Sequence, residues 1–302
     1  MPVLLERLPK SVPPVVALTS WLATIAGFFL FAGSAALVLI WPTHAPVETT
    51  LEALTRCLAT LQHAVRPWIG AFVGVGSVLL AGAVAVRLVF SAHRHEHARS
   101  KIRTLHRDIL TVVARRDAMH SGVIWLEHPL PMAYSIDGRP GYIVATEGLA
   151  RCLTTQQCDA VIAHERAHLR SHHHLILSVC EVLAAAFPRI PLFVAAPAAV
   201  ETLIELAADQ SAAEATSTDS MRSALLAVSA SVTHLPTVTL RLLNDATGTR
   251  LRRLEMVTSG VPRTGTRAGA CIAAALLPTL LPALAAGVAL MATATIGCVL
   301  LR

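Results

Sequence analysis

The chain has 302 residues, of which 54% are hydrophobic and only 15% charged, against roughly 25% charged in typical soluble domains. Its mean hydropathy of +0.59 means more apolar side chain than one core of this size buries, which excludes an ordinary soluble domain and directs the excess to lipid. The basic balance, 25 Lys and Arg against 19 Asp and Glu, then marks cytoplasmic membrane flanks, and no direct nucleic-acid binding is expected. The six cysteines contain no CxxC pair, so neither a disulfide framework nor a cysteine zinc site is expected.

The first charge-free stretch lies between Lys10 and His44. Residues 15–41 are long enough to cross a hydrocarbon core of roughly 30 Å and too long for a signal-peptide core. A second span is expected at about 67–90, where Pro67 to Val86 is uncharged between Arg66 and Arg87. Between the two, Leu51, Leu54, Leu58, Leu61 and Val65 recur at helical spacing and predict an external amphipathic helix on the membrane surface. Arg87, Arg94, Arg99, Lys101, Arg103, Arg107, Arg115 and Arg116 place the following segment, and with it the N-terminus, in the cytoplasm. Residues 1–90 therefore form a two-span unit, and 91–260 a domain in the cytoplasm or at the membrane interface. A third span with a cytoplasmic entry falls within 261–302, where Ala268 to Leu301 is uncharged behind Arg250, Arg252, Arg253, Arg263 and Arg267. The expected localisation is the cell membrane, multi-pass.

Within the central domain, Val123 to Leu126, Ala133 to Ile136 and Tyr142 to Thr146 are short β-prone runs. Asp137 to Gly141 is a turn between the last two, predicting a small hairpin or sheet. Thr154 and Gln157 then form a capping box that opens a helix running through His168. The fold class is mostly α.

That helix carries His164-Glu165-Arg166-Ala167-His168. Histidines at i and i+4 share a helical face and can hold one Zn²⁺, while Glu165 between them is placed to act as general base on a water. A third ligand must come from elsewhere. Glu201, Glu205 and Asp209 lie four apart on a second predicted helix. Glu205 is favoured as ligand, with Asp209 orienting a ligand histidine, and Glu201 is the alternative.

HERAH followed by ELAAD, the runs from Met132 to Ser135 and from Gly141 to Leu149 ahead of the helix, and the flanking spans resemble the integral-membrane zinc metallopeptidases. The nearest resemblance is to the transmembrane peptidase half of the beta-lactam sensor-transducers and their short actinobacterial relatives. The CAAX prenyl proteases and heat-shock membrane proteases are more distant. The resemblance covers residues 120–215. It implies a gluzincin-like core, one Zn²⁺ on His164, His168 and Glu205, and Glu165 as catalytic base. It also implies that Ala133, Tyr134 and Ser135 lie on an edge strand that holds a peptide substrate by strand addition. Neither the penicillin-binding sensor of the larger relatives nor the span that often precedes the first one in such relatives is expected in this chain.

Leu175 to Val200 is apolar enough for a crossing, but a crossing would put Glu205 on the opposite side of the membrane from His164. Pro188 and Pro191 interrupt the run, so a helical hairpin over 175–214 is expected instead. His172, His173 and His174 are expected to be interfacial polar residues, because adjacent histidines of one helix point to different faces. Arg166 and Arg170 are candidates for an oxyanion or for lipid phosphates. Residues 217–258 are expected to form two further helices.

The expected function is a membrane-embedded zinc endopeptidase acting on a cytoplasmic or membrane protein, with a transcriptional repressor as the partner suggested by resemblance. The rival is a catalytically silent, metal-dependent signalling scaffold. A metal transporter is disfavoured, because the interiors of the three spans carry no ionisable residue.

Overall fold

The computed structural model describes residues 12–40, 75–76, 78–98, 100, 115–116, 122–138, 141–231 and 247–255. The chain divides into two compact units, Met1–Leu18 with Ser91–Ala268 and Thr19–Phe90 with Gly269–Arg302. The expected amphipathic helix at 51–66 and the third span lie outside the described residues.

Helix α1 is Pro14–Ile40. Pro14 stands at its start, where the missing N–H costs nothing, and Pro42 follows its end. Helix α2, Val78–Ala98, continues beyond the expected end of the second span at residue 90. No Gly or Pro interrupts the polar stretch from Ser91 to Ala98, so the helical hydrogen bonds simply propagate. Both helices are long and apolar enough to cross a membrane.

Four strands follow: β1 Arg115–Arg116, β2 Val123–Leu126, β3 Ala133–Ile136 and β4 Tyr142–Thr146. They form one sheet in the order β1-β2-β4-β3. The last three match the predicted runs, and β1 adds a two-residue antiparallel pairing with β2. Strand β4 is central, parallel to β2 and antiparallel to β3. Its Ile143, Val144, Ala145 and Thr146 are all buried, as a strand covered on both faces requires. β3 is left at the edge.

Helix α3, Glu147–Cys152, starts directly from β4 with Thr146 as its N-cap. The Thr146 hydroxyl oxygen accepts from the N–H of Leu149 and of Met132 and donates to the Leu130 carbonyl at 2.6 Å. One buried side chain thus fastens both the start of α3 and the strap that leads into β3. Gly148 permits this approach. A methyl group there would overlap the Pro129 carbonyl oxygen and lie 2.8 Å from the Leu130 carbonyl carbon, and the Gly148 N–H donates to His128 O at 2.9 Å.

Helix α4, Thr155–Arg170, opens with the predicted capping box of Thr154 and Gln157. It is the central element of its unit. Cys158 and Ile162 pack with Val123, Ile143, Ala145 and Leu149. Ala160, on another face, packs with Ala212, Ala213, Met221 and Leu254. Helices α5, His173–Ala186, and α6, Pro191–Ala215, form the expected hairpin about a turn at Phe187 to Ile190. The Phe187 and Phe193 rings meet across that turn, 5.3 Å between centroids. Helix α6 is itself long and apolar enough to cross a membrane. Its fully buried Ala208 and Ala212 let it lie close against α4. Helix α7, Thr218–Ser231, and a short helix α8 at 247–255 complete the described elements.

Candidate metal centre

Roughly two to three turns of α4 separate its capping box from the motif, and the face that carries the two histidines is the one turned towards α6. His164 and His168 are both buried, and their Nε2 atoms converge to 3.0 Å. Glu205 reaches down from α6, with its two carboxylate oxygens 3.5 Å from His164 Nε2 and 3.5 Å from His168 Nε2 respectively. Three donors from two helices thus surround one point, the arrangement expected for these residues. Glu201, one turn earlier on α6, is exposed and takes no part in this cluster.

These separations suit a metal. Tetrahedral Zn²⁺ with bonds of about 2.0–2.1 Å requires neighbouring donors about 3.3–3.4 Å apart, and the three contacts at 3.0, 3.5 and 3.5 Å bracket that value. Two imidazoles and a carboxylate also form the donor set of catalytic zinc sites that leave a fourth position open.

Each of the two histidines is held from behind. Asp209 Oδ1 lies 3.0 Å from His164 Nδ1, an arrangement that would leave the Nε2 of His164 to face a metal. Burial alone would lower the His164 pKa. The Asp209 and Glu205 carboxylates overcome it and raise the pKa to about 9. His168 is pushed the other way, by burial first and then by the His164 charge. Behind it, His173 Nδ1 lies 3.1 Å from His168 Nδ1. For Nε2 of His168 to be the ligand, its Nδ1 must carry the proton and donate it to His173, which must then be neutral and protonated on Nε2. Burial brings the His173 pKa down to about 4, in keeping with that tautomer.

Two residues were not foreseen in these roles. His173 was expected to be interfacial, yet it is buried against His168. The reason is a break in the helix: His172 adopts a left-handed conformation with φ 51°, α4 ends, and α5 restarts at His173, so the spacing of a continuous helix does not apply. Arg250, from α8, was one of several arginines read as a cytoplasmic flank. Its Nε and Nη2 donate to the two oxygens of Asp209 at 2.7 and 2.6 Å, and its Nη1 lies 3.3 Å from Glu205. No spacing signal links residue 250 to the motif. Arg166 and Arg170, the candidate cations, are exposed.

Glu165 faces a cavity of about 590 Å³ together with His164, His168, Glu205 and Arg250. Burial pushes its carboxyl up, offset in part by the His164 charge and by hydrogen bonds from Ser135. The far wall is strand β3, with Ala133, Tyr134 and Ser135 all lining the cavity. Ser135 Oγ lies 3.0 Å from His174 Nε2. Met221, Ala224, Leu225 and Val228 of α7 give the remaining wall an apolar surface.

Residues 99–235 match the model of peptidase family M48, a segment that contains every proposed ligand but not Arg250. The match supports a metallopeptidase. Over 69 residues the chain is 33% identical to the plastoglobule-localized metallopeptidase 48, chloroplastic, of Arabidopsis thaliana, covering 22% of this chain and 20% of that protein. The similarity thus spans about a fifth of the relative's length. No solved structure matches the chain.

Proposed function

We propose that the chain is a membrane-embedded zinc endopeptidase with His164, His168 and Glu205 as ligands, Glu165 as general base and Asp209 orienting His164. The observation that carries the reading is the convergence of the three donors at 3.0 to 3.5 Å beside a half-buried carboxylate, in one cavity walled by an edge strand. A bound zinc would supply Lewis acidity, polarising a carbonyl and lowering the pKa of a water. Ala133, Tyr134 and Ser135 hold an extended peptide by adding it to the outer edge of β3. Glu165 takes a proton from water as the oxygen adds to the scissile carbonyl. It returns that proton to the amine as the C–N bond breaks, so no net proton is consumed.

Membrane embedding is supported by three helices of sufficient length and apolarity and by the exposed Leu175, Val179 and Val194 on the α5 and α6 hairpin. In this reading the N-terminus and the zinc site face the cytoplasm, with the hairpin dipping into the bilayer. The substrate is a cytoplasmic or membrane protein. A transcriptional repressor, cleaved as in the beta-lactam sensor-transducers that the sequence resembles, is the partner to test first.

Glu165→Gln tests the reading against that of a silent scaffold. The variant should keep its zinc and lose about 10²–10⁴-fold in hydrolysis of a fluorogenic peptide library. Undiminished hydrolysis would remove Glu165 from the chemistry, and a signalling output unaffected by the substitution would favour the scaffold.

A further inference from the structure

A second cluster of metal-binding side chains lies away from the zinc centre, at the polar end of α2. The sequence there is His93-Arg94-His95-Glu96-His97. His93 and His97 stand at i and i+4, the spacing of the ligand pair on α4. Their rings approach as closely, 4.3 Å between centroids at an interplanar angle of 86°, against 4.7 Å and 66° for His164 and His168. Glu96, at i+3 from His93, shares their face of the helix.

His95 explains why the pair faces outward. Two residues from each neighbour, it projects from the other side of the helix, where its Nε2 lies 3.1 Å from Glu181 of α5. That contact fixes the rotation of α2 about its axis, and both His93 and His97 are left exposed. Exposure leaves both rings open to an ion arriving from solvent.

We propose that His93 and His97 form a second, solvent-facing site for a divalent transition-metal ion. Imidazole nitrogen suits Zn²⁺, Ni²⁺ and Cu²⁺ and not Mg²⁺ or Ca²⁺, and Cu²⁺ should bind most tightly. The remaining coordination positions belong to water. The site does not depend on the peptidase reading, because it shares no residue with the centre on α4.

The test is equilibrium dialysis of the detergent-purified full chain, prepared without a histidine tag, against Zn²⁺ and separately Cu²⁺. His93→Ala/His97→Ala is dialysed beside wild type. The wild type should retain one more equivalent of each ion than the double variant. The Cu²⁺ electron paramagnetic resonance spectrum should lose a two-nitrogen hyperfine pattern in the variant, and peptide hydrolysis at limiting zinc should be unchanged. Equal stoichiometry in the two proteins would overturn the proposal, as would a copper spectrum unaltered by the substitutions. Loss of zinc in His164→Ala alone bears on the α4 centre and leaves this site standing.

Discussion

Asp209 and Arg250 form a two-pronged pair behind the candidate metal centre, Nε to Oδ2 at 2.7 Å and Nη2 to Oδ1 at 2.6 Å, with Asp209 almost fully buried. The same Asp209 oxygen that accepts from Arg250 Nη2 also lies 3.0 Å from His164 Nδ1. The carboxylate therefore joins α8 to the ligand helix. Asp209→Asn should lower zinc affinity about 10–100-fold while the fold persists. Arg250→Ala leaves a buried carboxylate short of its cation and should destabilise the protein by about 3–5 kcal/mol. Zinc titration of the first variant and thermal unfolding of the second check the two expectations.

Much of this centre is legible in the sequence, because its information is local and periodic. The capping box sets the start of α4, the i, i+4 histidines share a face, and Glu205 with Asp209 repeats that spacing on α6. Pro188 and Pro191 make the hairpin readable, since an interrupted apolar run returns the chain to the same side. The missed parts depend on tertiary contacts or on one unusual dihedral angle. Arg250 reaches Asp209 from 41 residues away along the chain. His173 comes to lie against His168 only because His172 adopts positive φ. The parallel pairing of β2 with β4 places β4 between two strands that precede it in the chain, an order that alternation within each strand does not encode.

His173 gives a second expectation. With His168 Nε2 as ligand, His173 Nδ1 accepts the His168 proton, so His173→Ala should weaken zinc binding about 10–100-fold. His173→Asn, whose side-chain oxygen can occupy nearly the same position, should restore most of it. A purely space-filling role would be rescued by Leu instead. Zinc competition with a chromophoric chelator distinguishes the two.

The charge on His164 sets a pH dependence. The zinc-free protein holds the His164 proton up to about pH 9, whereas a ligand imidazole must offer a free Nε2 lone pair. Zinc loading at neutral pH should therefore release about one proton from this residue, and apparent affinity should rise about tenfold per pH unit until it levels near pH 9. Calorimetry in buffers of different ionisation enthalpy counts the proton. Pairing with Asp209 and Glu205 raises the His164 pKa, so Asp209→Asn should move the plateau to lower pH.

The most direct measurement is elemental zinc analysis of the detergent-purified chain beside His164→Ala and Glu205→Ala, after dialysis against a weak chelator that strips surface ions. About one zinc per wild-type chain, lost from both variants while their helical circular dichroism is retained, is the expected result. A folded wild-type chain that binds no zinc, or variants that keep it, would contradict a zinc centre built from these residues.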